Sequence, residues 1–118
     1  MENIKGGLEM VLVIEDEPMV AEIIAGTLVD IEHLILKSYQ DLIQVPTQTI
    51  LNTRIVITDM HLEIKRNALD VKNYTQNINP NIRYILMTGT EPDDTITQQF
   101  DKVLYKPFLL KDLRDCCS

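Results

Sequence analysis

The run Met10-Val11-Leu12-Val13-Ile14, followed at once by Glu15-Asp16, decides the fold. Five apolar residues in a row are too few for a buried helix. They suit a strand covered on both faces, which reads as a continuous apolar run rather than an alternation. The pattern then changes. Pro18 sits where a first helical turn tolerates proline, and Asp16 or Glu17 can serve as its N-cap. Beyond it Met19, Val20, Ile23, Ile24, Thr27 and Leu28 follow helical spacing. A strand that hands over to an amphipathic helix is the opening of a βαβ unit.

The same alternation continues outward. His33–Lys37 reads as a second strand. Residues 40–53 are the weakest stretch: Asp41-Leu42-Ile43 can start a short helix, Pro46 interrupts it, and Thr47–Leu51 can resume it. Ile55–Thr58 is a third strand and His61–Asn67 a polar loop. A helix is expected from about Ala68 to Asn77, with Leu69, Val71, Tyr74 and Ile78 as a partial apolar stripe and Pro80 beyond its end. Arg83–Met87 is a fourth strand, and Glu91-Pro92-Asp93-Asp94 opens a short helix ending near Phe100. Val103–Tyr105 is a fifth strand, and Leu109–Cys117 a short last helix. Strands alternating with helices predict an α/β fold, a parallel sheet with helices on both faces. Residues 1–9 read as a polar, flexible lead-in, and 118 residues suit one domain spanning 1–118.

Four of the five strands run into a chemically loaded residue: Glu15-Asp16, Asp59, Thr88-Gly89 and Lys106-Pro107-Phe108. In an open parallel sheet, ligands bind outside the carboxyl ends of the strands. All of these residues would therefore meet at one edge, as a cation site around a phosphorylatable carboxylate.

Composition narrows the classes. Hydrophobic residues make up 45% and charged residues 25%, ordinary for a globular domain. No apolar run approaches the roughly 20 residues of a membrane helix, and Met1-Glu2-Asn3-Ile4-Lys5-Gly6-Gly7 lacks the apolar core of a signal peptide, so a cytoplasmic protein without membrane contact is expected. A net charge of −7 argues against direct nucleic-acid binding, which wants a basic face. Cys116 and Cys117 are adjacent, have no metal-ligand spacing, and read as incidental reduced thiols.

The ordered set resembles the receiver domain of bacterial two-component response regulators: a strand into Glu15-Asp16-Glu17-Pro18, Thr58-Asp59, Met87-Thr88-Gly89, and Tyr105-Lys106-Pro107-Phe108. The intervals fit as well, with 43 positions from Asp16 to Asp59 and 29 from Asp59 to Thr88. Any one element is weak; Asp59 alone reads as well as a helix cap. The resemblance implies a flavodoxin-like five-stranded sheet of order 2-1-3-4-5. It implies phosphoryl transfer to Asp59 from a phosphohistidine on a sensor histidine kinase or histidine phosphotransfer protein. It implies Mg²⁺ as cofactor, held directly by Asp16 and by Asp59, by Glu15 through water, and by the backbone carbonyl of His61 rather than its ring. Thr88 and Lys106 match the hydroxyl and ammonium that take phosphoryl oxygens. The resemblance also implies a signalling domain, not an enzyme with an exogenous substrate. A haloacid-dehalogenase-like phosphatase would want Asp-x-Asp where this chain has Glu15-Asp16-Glu17. The alternative is an interaction module of the same fold that works without phosphorylation.

Three departures from the family pattern stand out. Glu63 lies where a proline is usual, and Asn67-Ala68 replaces the glycine before the next helix, so Asn67 is expected to supply a left-handed backbone. Val103 stands where a switch aromatic is usual. Only 18 positions separate Thr88 from Lys106, which predicts a truncated helix between them.

Overall fold

The structure, a computed structural model, describes residues 10–63 and 65–117; the expected lead-in at 1–9 lies outside them. Five strands, β1 (Met10–Ile14), β2 (His33–Leu36), β3 (Thr53–Asp59), β4 (Arg83–Thr88) and β5 (Lys102–Tyr105), form one sheet of order β2-β1-β3-β4-β5. Every pairing is parallel. The helices are α1 (Pro18–Thr27), α2 (Tyr39–Leu42), α3 (Thr47–Leu51), α4 (Ala68–Ile78), α5 (Asp94–Thr97) and α6 (Leu110–Cys116). This is the topology expected from the sequence, with strand bounds shifted by a residue or two at most sites.

The strands divide the core by parity, because successive side chains point to opposite faces. Val11 and Val13 pack with Ile24 and Leu28 at α1 and with Leu113 and Cys116 of α6. Leu12 and Ile14 pack instead with Leu42, Ile50, Ala68 and Val71 of α2, α3 and α4. Val11 to Ile14 are all fully buried, which explains the unbroken apolar run.

α1 enters through Pro18, as expected, but the Glu17 side chain caps nothing. The Glu17 N–H instead donates to Glu15 Oε2 at 3.0 Å. Met19, read as part of a helical apolar stripe, is 71% exposed; the stripe that packs is narrower, centred on Ile24 and Leu28. Asn67 does not adopt a left-handed backbone. Its φ is −149°, and it is the N-cap of α4, its side chain accepting from the Leu69 and Asp70 N–H groups while Asp70 accepts from the Asn67 N–H. The positive φ falls two residues earlier, at Lys65 (67°). A short polar side chain serves a cap better than a strained turn, and this reciprocal arrangement is worth about 1 kcal/mol.

The segment between β4 and β5 is short, as expected. α5 is one four-residue turn capped by Asp93, whose carboxylate accepts from the Thr95 N–H at 3.0 Å. Val103 is half-buried and packs against the same side of the core as Phe100. Among the described residues no helix is long and apolar enough to cross a membrane.

Candidate functional site

The carboxyl ends of β1, β3, β4 and β5 bring the expected residues into one cleft. Strand register sets their heights: Ile14 pairs with Thr58, Asp59 with Met87, and Thr88 with Tyr105. The residues just past these pairs therefore share one rim. The Lys106 N–H donates to the Thr88 carbonyl at 2.8 Å, which carries the lysine one residue beyond the sheet. The peptide between Lys106 and Pro107 is cis.

Asp59 is buried at the base of the cleft. Its Oδ1 lies 2.7 Å from Lys106 Nζ, and the same ammonium lies 3.0 Å from Oε1 of Glu15. Glu15 is buried too and is held twice, by Lys106 and by the Glu17 N–H. Asp16 differs: its side chain is exposed and lines the open part of the cleft beside Asp59, Met60, His61, Thr88, Gly89 and Thr90. The cleft encloses about 160 Å³.

Three carboxylates crowd together here: one oxygen each from Glu15, Asp16 and Asp59 lies within 4.8 Å of the others. Burial, and next the neighbouring Glu15, push the Asp59 carboxyl up to about 8, with Lys106 opposing. Burial pulls Lys106 down, but the Asp59 and Glu15 carboxylates beside it leave it net above its ordinary value. One ammonium does not balance three carboxylates. An all-oxygen donor set with excess negative charge fits a hard divalent cation, and the cluster could hold a metal ion.

The remaining expected residues are placed as follows. Thr88 is buried at the rim, but its hydroxyl is turned into its own loop, donating to the Thr90 carbonyl at 2.9 Å and accepting from the Thr90 N–H at 3.2 Å. His61 is exposed at the cleft wall, and its ring is not part of the acidic cluster.

Against known structures, the chain superposes on a response regulator receiver domain protein from Clostridium thermocellum with a TM-score of 0.79, at 25% identity, covering 92% of this chain and 90% of that one. The chain has the receiver-domain fold of response regulators. A signal receiver domain of a putative LuxO repressor protein from Vibrio parahaemolyticus shares the receiver fold at a TM-score of 0.77 and 19% identity, covering 92% and 85% of the two chains. An adenylate cyclase from Rhodopirellula baltica does so equally, at 0.77 and 19%, covering 92% and 84%. No protein-family model matches the sequence. No curated protein sequence matches it significantly.

One residue of the loop after Asp59 makes contacts that were not legible in the sequence. Glu63, noted only as a substitute for proline, accepts from the backbone N–H groups of Tyr39 at 3.0 Å and Gln40 at 3.1 Å. Its partners lie more than 20 positions away, and no local pattern signals a cap across that distance.

Proposed function

We propose that this receiver domain accepts a phosphoryl group on Asp59, in a Mg²⁺-dependent step, from a phosphohistidine carried by a sensor histidine kinase or histidine phosphotransfer protein. The observation that carries the reading is the buried Asp59 carboxylate with Lys106 Nζ at 2.7 Å, inside a cluster of three carboxylates. A structural ion pair would need one acid for one base; here two buried acids share Lys106, and a third carboxylate within 4.8 Å adds negative charge that a divalent cation would offset.

Asp16, Asp59 and Glu15 would hold the ion, with the His61 carbonyl as the family resemblance implies. Bound there, Mg²⁺ would offset the repulsion between a carboxylate and a dianionic phosphoryl group and favour the ionised form of Asp59. The chain's own residues do the rest. An Asp59 oxygen forms the bond to phosphorus while the bond from phosphorus to the donor imidazole nitrogen breaks, and that electron pair leaves on the imidazole. Lys106, already within reach of Asp59, neutralises one of the equatorial oxygens. Thr88 takes another after its hydroxyl turns away from Thr90, exchanging one hydrogen bond for another. The product is an acyl phosphate, and the altered rim is what a partner reads. This is a signalling role, with no substrate released other than by hydrolysis of the phosphoryl group.

Acetyl phosphate tests the reading. With Mg²⁺, intact-mass spectrometry should show one added phosphoryl group, absent in Asp59→Asn and absent when EDTA removes the metal. Equal labelling of Asp59→Asn would sink the assignment. No labelling of the wild type under any metal condition would favour the interaction module instead.

A further inference from the structure

The loop that follows Asp59 is a small, pinned hairpin. The Met60 N–H donates to the Met87 carbonyl at 2.8 Å, and the Ala68 N–H donates to the Met60 carbonyl at 3.0 Å. His61 and Asn67 form an antiparallel bridge, and the Leu62 N–H donates to the Arg66 carbonyl at 3.2 Å. The turn is closed by the Arg66 N–H on the Glu63 carbonyl at 3.0 Å, with Lys65 in the left-handed region. The base of this hairpin, Met60 and His61, is one wall of the acidic cleft.

Its tip is tied down elsewhere. The two Glu63 oxygens each accept a backbone N–H at the start of α2, Tyr39 at 3.0 Å and Gln40 at 3.1 Å. From the other arm of the turn, the Arg66 guanidinium lies 4.3 Å from the centre of the Tyr39 ring. That ring packs edge-on against Tyr74 of α4 at 6.1 Å. An isolated exposed ion pair contributes little. Here a carboxylate with two amide donors and a stacked guanidinium converge on Tyr39, from both arms of one turn. Such convergence fixes a position better than any single contact would.

Building on the phosphoacceptor reading above, we infer that Glu63 is a positioning residue: by anchoring the hairpin tip to the start of α2, it holds the His61 side of the cleft wall in place for the cation. Met60 stays pinned by Met87 and Ala68, so loosening the tip lets the wall swing at His61 and leaves Asp59, Asp16 and Glu15 untouched. The competing account is that Glu63 merely caps α2. Ser38 separates the two, since its hydroxyl caps the same helix, accepting from the Asp41 N–H at 3.0 Å, and among the described residues makes no hydrogen bond to the hairpin.

The test compares Glu63→Ala, Glu63→Gln and Ser38→Ala with the wild type. Mg²⁺ affinity is read by calorimetry, and backbone amide exchange is read in EDTA. The loss of a cap of this kind corresponds to roughly a three- to tenfold change in an equilibrium constant. Glu63→Ala should weaken Mg²⁺ by about that factor, with Glu63→Gln intermediate because one acceptor oxygen remains. Ser38→Ala should bind Mg²⁺ as the wild type does. In the metal-free protein, the Leu62 and Arg66 amides should exchange faster in the Glu63 variants only. Equal weakening by Ser38→Ala, or wild-type affinity in both Glu63 variants, overturns this inference alone. A wild type that does not bind Mg²⁺ overturns the phosphoacceptor reading, and this inference with it.

Discussion

Replacing Asp59 by asparagine should stabilise the metal-free protein at alkaline pH, against the usual expectation for a buried substitution. Asp59 is 4% exposed. Burial and the adjacent Glu15 place its carboxyl at about 8, against about 3.9 in an unfolded chain. Between those values the folded state keeps a proton that the unfolded state has released. The stability contributed by Asp59 is therefore complete below pH ~4 and is lost as pH rises toward ~8. About four units of separation at ~1.4 kcal/mol each set a ceiling near ~6 kcal/mol. Lys106, 2.7 Å away, opposes the rise, and that opposition is already contained in the value of about 8. The expected gain at pH 8.5 is therefore about 3 kcal/mol or more and below the ~6 kcal/mol ceiling, on the order of 10 °C in Tm for a chain of this size. At pH 4.5 Asp59 is protonated in the folded wild type, and the two proteins should differ by less than about 1 kcal/mol. Urea unfolding followed by circular dichroism, in EDTA at both pH values, measures this. An asparagine variant less stable than wild type at pH 8.5, or a gain equal at the two pH values, refutes the electrostatic account of the cleft.

Asp16→Asn should weaken Mg²⁺ more than Glu15→Gln does, because Asp16 faces the open cleft while Glu15 is already engaged by Lys106 and the Glu17 N–H; metal titration of both variants decides it, and a larger loss in Glu15→Gln reverses the roles. Beryllofluoride, standing in for the phosphoryl group, should change amide exchange most in the loops at 60–68 and 88–94, with the Thr90 amide prominent because its acceptor is the Thr88 hydroxyl. A larger change at 100–105 would contradict this, since half-buried Val103 has little freedom to move. Asn79→Ala should cost about 2–3 kcal/mol in urea unfolding at unchanged m. Its buried amide nitrogen reaches the carbonyls of Ile50, Leu51 and Thr53 at 3.0–3.3 Å and ties α3 to β3; a loss under about 0.5 kcal/mol would mean water replaces it readily.

The strands were legible because a sheet covered on both faces is built from short unbroken apolar runs: the five-residue run Met10–Ile14, closed by Glu15-Asp16, is too short for a buried helix, and its bounds are those observed. The cleft was legible for a related reason. Parallel strands end on one side, so residues following Ile14, Thr58, Met87 and Tyr105 must converge there. What the sequence hid were features decided by tertiary partners. Met19 and Ile24 lie on similar helical spacing, yet only Ile24 meets the sheet. The left-handed residue fell at Lys65 rather than Asn67, because Asn67 had a better use as a cap. The Thr88 hydroxyl chose its nearest backbone partners, two residues on, over the cleft. Glu63 acts across the fold on Tyr39 and Gln40, and nothing adjacent in sequence could have announced it.

The central claim is that Asp59, and no other carboxylate of the cluster, carries the phosphoryl group. Borohydride reduces an acyl phosphate to an alcohol, so treating the protein with it after acetyl phosphate and Mg²⁺ marks the acceptor permanently. Peptide mapping by tandem mass spectrometry should find homoserine at position 59 and unmodified acids at positions 15 and 16, with no product when Mg²⁺ is withheld. Homoserine at position 16, or reduction independent of the metal, would contradict the account.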